Sequence, residues 1–267
     1  MINQRKGQIV IRIGKHHLSF SSMNLLQAEN PIVYEPYVMK SSMSVTANLR
    51  EALKGADVVR AGAKRALVMV DAPILLVPVE QFEEQSMAEL YGHAFPRKEQ
   101  ETVLYNVLPD LNTVAVFAIS KDLLTVLNDN FDDVKFTAAM SPVWRHLHKR
   151  SFTGTRSKLY GYFHDQKLEV FSFYQNRFKF YNQFEISRAY DAIYFMLYVW
   201  KQLALNAEQD EMYLVGDIPE RETFVNELRR YLQKACVINP SADFNRAPAT
   251  QVKNMPYDLM ALFTKGR

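Results

Sequence analysis

Twice along this chain, three short strand-like runs follow one another and then give way to alternating helical and strand-like segments. The first trio is "QIVIRIG", "HLSFSSM" and "IVYEPYVM"; the second is "KLYGYFH", "LEVFSFY" and "RFKFYNQFEI". Runs of this kind, apolar at every second position and separated by a few turn residues, pair as antiparallel meanders. In the first run Ile9, Ile11 and Ile13 fall on one face, with Val10 and Arg12 on the other. In the second trio the turns fall at "DQK" and "QN". No residue-level repeat of fixed period accompanies the recurrence. The expectation is an α/β protein of two similar halves, each a mixed sheet opening with a three-strand meander. The basic, aperiodic stretch "HKRSFTGTRSK" divides them, giving subdomains 1–153 and 154–267.

Between the trios, "SVTANLREALKG" carries Val45, Leu49, Ala52 and Leu53 as a helical stripe, with Ser44 as cap and Gly55 as stop. "RALVMVDA", "ILLVPVE", "ETVLYNVLP" and "TVAVFAIS" read as strands, with Pro73 and Pro78 limiting their pairing. A helix over "KDLLTVLNDN" takes Ser120 as its cap. After the second trio, "SRAYDAIYFMLYVWKQLALN" is apolar nearly all round and is expected to be buried on more than one side.

Composition excludes several classes. A net charge of +3 in 267 residues implies no nucleic-acid or membrane partner by itself. The single Cys236 rules out an internal disulfide and a cysteine zinc cluster, and reads as a small buried hydrophobe. The N-terminus lacks a signal-peptide pattern and the most apolar helical run is too short to span a bilayer. A soluble cytoplasmic protein is expected.

The turn after the first strand is where chemistry is sought. A carboxylate entering such a turn is one way to hold a metal–phosphate group, but "RIGKHH" places Arg12 two residues before Gly14, followed by Lys15, His16 and His17. In order of elements the chain resembles the actin-like ATPase superfamily, which includes actin, sugar kinases and the nucleotide domain of heat-shock chaperones. More narrowly it resembles a bacterial family of unknown function with that fold. The resemblance implies two ribonuclease-H-like subdomains around a nucleotide cleft. It places the first phosphate loop, Asp-x-Gly, at Arg12, Gly14 and Lys15. The second falls at Asp165 in "FHDQKLEV", where no glycine follows. The adenosine motif, Gly-Gly before a helix, falls at Gly216 and Asp217. Arg12 cannot ligate Mg²⁺, which takes oxygen ligands. Asp217 with Glu220 reads as a capping box for the next helix.

The resulting expectation is a protein that keeps the fold without the ATPase, a scaffold or regulatory protein with an unidentified protein partner. No catalytic residue, metal ligand or cofactor is assigned. One alternative is an ATP-binding protein in which Arg12 and Lys15 hold phosphate and Asp165 or Asp217 holds magnesium. Another is an RNA-associated protein using the basic segment 144–158, with Arg145, Lys149, Arg150, Arg156 and Lys158 beside Trp144 and Phe152. Nucleic acid is the less expected partner. His146 and His148 would share a face of a strand but have no acidic neighbour. The aromatics of "FSFYQNRFKFYNQF" read as core, with Phe171 and Phe173 on one face and Phe178 and Phe180 on one face. Glu80, Glu83, Glu84 and Glu89 read as a solvated helix start.

Overall fold

The computed structural model describes residues 7–23, 31–96, 100–152, 155–175 and 177–264. They form two compact units, Met1–Ser141 and Pro142–Arg267. The expected boundary between residues 153 and 154, and Asn176 of the expected "QN" turn, lie outside the described residues.

In the first unit, β1 (Gln8–Ile13), β2 (His17–Met23) and β3 (Ile32–Val38) make the antiparallel meander. Strand β4 (Arg65–Val70) pairs parallel with β1, and β8 (Asp133–Ala138) parallel with β4, giving the order β3-β2-β1-β4-β8. Ile9, Ile11 and Ile13 are buried as the alternation requires. So are Val10 and Arg12, so both faces of β1 are covered.

Helix α1 (Val45–Gly55) follows the meander. Ser44 Oγ accepts from the Ala47 amide at 3.2 Å, as a capping serine does. Leu49, Ala52 and Leu53 are buried, but Val45 is exposed, and the buried position in its stead is Asn48. Asn48 accepts from the Lys40 amide at 2.8 Å and donates to the carbonyls of Lys40, Met43 and Ser44. One polar side chain thus ties the preceding loop to the helix. A short α2 (Asp57–Arg60) has its first amides, of Asp57 and Val58, bonded to Glu35 of β3 at 3.0 Å.

Between β4 and β8 the chain builds a separate antiparallel sheet of β5 (Ile74–Pro78), β6 (Glu101–Leu108) and β7 (Thr113–Ser120), in the order β5-β7-β6. Helix α3 (Met87–Ala94) packs Tyr91 against Val77, Val103 and Val116. Helix α4 (Lys121–Asn130) is capped by Ser120, whose hydroxyl accepts from Leu123 at 3.1 Å. The four strands around the prolines are present as expected; their division between two sheets depends on distant pairing that local pattern does not carry.

Helix α5 (Met140–Ser151) runs across the division of units. The second unit then repeats the first. Strands β9 (Lys158–His164), β10 (Lys167–Tyr174) and β11 (Arg177–Glu185) form the meander, and β12 (Glu211–Gly216) and β13 (Ala235–Val237) extend it in parallel, in the order β11-β10-β9-β12-β13. Helices α6 (Ala189–Gln202) and α7 (Arg221–Arg229) cover one face over Leu159, Phe163, Leu168 and Val170. On the other face Tyr160 stacks on Phe171 at 5.5 Å, and Trp144 meets Phe178 and Tyr181 edge-on at 5.2 and 5.0 Å. The short α8 (Pro240–Asp243) and α9 (Tyr257–Thr264) follow β13.

Two expectations about this unit are corrected. A bulge opposite Ser172 and Phe173 places Phe178 and Phe180 across from consecutive residues, so they point to opposite faces. Helix α6, expected to be buried on more than one side, buries one face through Ala192, Ile193, Met196, Val199 and Trp200, and exposes Tyr190, Tyr194 and Tyr198, one turn apart, on another.

Candidate functional site

At the end of β1, Arg12 is a strand residue, 3% exposed, directly across from Ser19 of β2. The turn that follows is closed by the Gly14 amide donating to the His17 carbonyl at 2.9 Å. Lys15, His16 and His17 are exposed at its tip. At the end of β4, the Asp71 amide donates to the Ile13 carbonyl at 2.9 Å. Arg12, Gly14 and Lys15 are therefore gathered at the carboxyl end of a parallel strand pair, the end at which open α/β sheets bind ligands.

The second unit holds the corresponding arrangement. Asp165 and Gln166 form the β9–β10 turn with φ of 45° and 61°, reaching the left-handed conformation without glycine. The Asp217 amide donates to the Phe163 carbonyl at 2.9 Å, the counterpart of the Asp71–Ile13 bond. Gly216 has φ of 93°, and a Cβ there would run into the Phe163 carbonyl. Strand pairing by itself is thus enough to require a glycine there. Asp165, Gly216 and Asp217 stand together at the carboxyl ends of β9 and β12.

The proposed capping box is absent. Helix α7 begins at Arg221, and its N-cap is Glu220 in the left-handed conformation, with no side-chain cap bond. Asp217 lies too early in the chain to serve.

The basic segment is largely engaged within its own unit. Arg150 Nη1 donates to Asp243 at 2.7 Å and its guanidinium lies 4.9 Å from the centre of the Tyr213 ring. Arg156 faces Glu211 at 3.8 Å, and Lys158, 4% exposed, reaches the carbonyls of Arg150 and Ser151 at 3.4 and 3.3 Å. His146 and His148 sit on α5, not a strand, so two residues apart they diverge. His146 Nε2 stands 2.7 Å from Asp243, and His148 Nε2 donates to the Gln175 carbonyl at 2.9 Å. Asp243 also accepts from the Tyr257 hydroxyl at 2.6 Å. Burial alone would raise the Asp243 pKa, but bonds from His146 and Tyr257 and the nearby positive charge hold it below the ordinary carboxylate value. The same burial, next to that carboxylate, raises Tyr257.

The acidic run lies on the surface, where Glu84 accepts from Tyr105 and Glu80 from Asn112, both at 3.1 Å. Cys236 is exposed, correcting the expectation of a buried thiol, because β13 is an edge strand.

Sequence reading did not single out His164 and Glu169. Both are buried on the aromatic face of the second sheet, with His164 Nε2 3.4 Å from Glu169 Oε1. Tyr181 donates to the other Glu169 oxygen at 2.9 Å, and the His164 ring stacks on Tyr162 at 4.7 Å. The alternation of β9 and β10 places both side chains on one face, but apolar patterning gives no signal for a buried charged pair.

Over residues 1–235 the sequence matches the family described as Protein of unknown function (DUF3822). The chain belongs to the DUF3822 family. Among curated proteins none matches it. Among solved structures, this DUF3822 protein is similar to a Bacteroides thetaiotaomicron protein described as having an actin-like ATPase fold and unknown function. The two share 29% identity and a TM-score of 0.80, over 93% of this chain and 98% of the other. It is also similar in fold to a chain of a PilM–PilN type IV pilus biogenesis complex, at 13% identity and a TM-score of 0.61 over 97% of each chain. The fold expected from element order, two similar mixed-sheet units in the actin-like ATPase class, is the fold observed. No described helix is long and apolar enough to cross a membrane.

Proposed function

We propose that this DUF3822 protein is a non-catalytic member of the actin-like fold, a scaffold or regulatory protein that acts by binding a protein partner. The observation that carries the reading is Arg12: a buried guanidinium occupies the position at which the resemblance calls for a metal-organising carboxylate. A guanidinium is always charged and donates only, so it cannot take the place of an oxygen ligand to Mg²⁺. The amides of Gly14 and Asp217 support it, since each donates to a backbone carbonyl within its unit. Gly216 is explained by the Phe163 carbonyl without any nucleotide. A fold-level likeness to one chain of a pilus-assembly complex agrees with a partner-binding role and identifies no partner.

Calorimetric titration with ATP, with and without Mg²⁺, tests this. The expected outcome is no magnesium-dependent binding by folded protein. Tight binding that requires magnesium would overturn it and make Asp165 and Asp217 the first residues to replace. Binding indifferent to magnesium would keep the absence of catalysis and assign Arg12 and Lys15 as anion contacts.

A further inference from the structure

We propose that the outer face of helix α6 is a docking site for an acidic segment of a partner protein, apolar at its centre and with carboxylates towards each end. This rests on the partner-binding reading above and names the surface that serves it. Tyr190, Tyr194 and Tyr198 recur at every fourth position and are 66%, 62% and 48% exposed, so they form a straight row about 12 Å long. The core contacts of α6 come from its opposite face, where such a helix needs them; the outer face of a surface helix ordinarily carries polar residues. The row is firmly set. The Tyr194 and Tyr198 rings stack at 6.0 Å, Tyr194 meets Phe195 edge-on at 5.5 Å, and Phe195 lies flat on Phe184 of β11 at 4.3 Å. Rigid phenols give contact area at small entropic cost, and tyrosine is enriched where proteins meet.

Charge selects the occupant. From Pro142 onward the chain carries 18 Lys and Arg against 13 Asp and Glu, a net +5, whereas residues 1–141 carry 14 against 16, a net −2. Arg188 stands two residues before the row and Lys201 one turn beyond Tyr198, both exposed and neither with an acidic partner among the described residues. Lys179 of β11 adds a cation where its Nζ reaches the Leu203 carbonyl at 3.5 Å. The nearby acids are engaged: Asp191 accepts from the Ser187 and Arg188 amides at 3.3 and 3.0 Å, and Glu185 stands across from Lys167. An aromatic row with a cation at each end draws in carboxylates and turns away basic surfaces. A second copy laid antiparallel along α6 would set Arg188 near Lys201. The row also exposes only on the order of 350 Å², at about 200 Å² per tyrosine, against the ~800 Å² that each partner buries in a stable dimer. A bilayer is served no better, because membrane-surface helices bury Trp, Phe or Leu, and the large exposed side chains of α6 are tyrosines.

Selection from a displayed library of random peptides on the full-length protein, followed by fluorescence anisotropy of the enriched peptides, tests this. The expected peptides carry net negative charge around an apolar centre. The Y190A/Y194A/Y198A protein should bind them about tenfold more weakly and R188E/K201E about fivefold more weakly, and 0.5 M NaCl should weaken wild-type binding as well. Urea denaturation of both variants should match the wild type, since the replaced side chains are exposed. The charge variant keeps every tyrosine and so reads the proposal even if the triple variant loses stability. Neutral or basic peptides, peptides that bind the triple variant as tightly, or a library that yields no binder would overturn it. A wild-type dimer in sedimentation that is lost in the triple variant would assign the face to a second copy. Binding to phosphatidylserine vesicles that is lost in that variant would assign it to a membrane, and either result overturns the acidic segment. All these failures leave the scaffold reading standing, which falls instead by magnesium-dependent ATP binding in the calorimetric titration.

Discussion

At the scale of single residues, two side chains carry measurable consequences. Gly216 sits at φ of 93° against the Phe163 carbonyl, so G216A meets both a strained backbone and a direct clash. The expected loss is about 2–4 kcal/mol, read from urea denaturation in the absence of any ligand. A glycine kept only for a nucleotide would show no such loss. Asp243 draws His146, Arg150 and Tyr257 onto one carboxylate. Its folded pKa lies below the unfolded one, so its contribution is complete above the unfolded value of about 3.9 and is lost as pH falls through the folded value. D243N should therefore cost about 2–3 kcal/mol at pH 7, less than a fully buried pair because Arg150 is partly exposed. The gap to wild type should close as denaturation is repeated from pH 4 downward. Of these residues, Gly216 was visible in the sequence because a glycine at a strand end is a local signal. Asp243 was not, since its three donors come from elements as far apart as α5 and α9.

Elements were legible wherever the cause was local. Ser44 and Ser120 each stand immediately before an apolar helical stripe, and each caps the helix that follows. S44A and S120A should each lower stability by about 1 kcal/mol, and because the caps serve separate helices, the double variant should lose the sum. A shortfall in the sum, seen in the same urea titrations, would mean that the two helix ends are coupled. What local pattern missed was decided by register. The bulge in β10–β11 turned Phe178 and Phe180 apart, and pairing at a distance split β5, β6 and β7 from the main sheet. Similarly, the capping box read at Asp217 and Glu220 failed by position: the strand exit uses the Asp217 amide, and the helix starts later.

For the whole molecule, the order of elements was sufficient to give the fold class, because meander followed by parallel additions admits few sheets. The candidate site was legible only as positions, since its chemistry depends on burial and partners that no sequence spacing encodes. One molecular property follows from those partners. With Arg150 paired to Asp243, Arg156 to Glu211 and Lys158 bonded to helix carbonyls, three of the five cations of the basic segment are engaged within their own unit. A labelled single-stranded RNA should show no binding by anisotropy at 0.15 M salt, and only weak, steeply salt-dependent binding below it. Affinity that persists at physiological salt would restore the RNA reading.

Both main sheets end in a meander strand, β3 in one unit and β11 in the other. Strand β3 carries Pro36, and β11 carries Arg177 and Lys179 on exposed positions. A proline removes a backbone donor and charged side chains resist desolvation, so both margins discourage an incoming strand of another copy. The colloidal behaviour of concentrated solutions is thereby written into these few residues: replacing them with valine or threonine would leave each sheet folded but supply a template for fibrils.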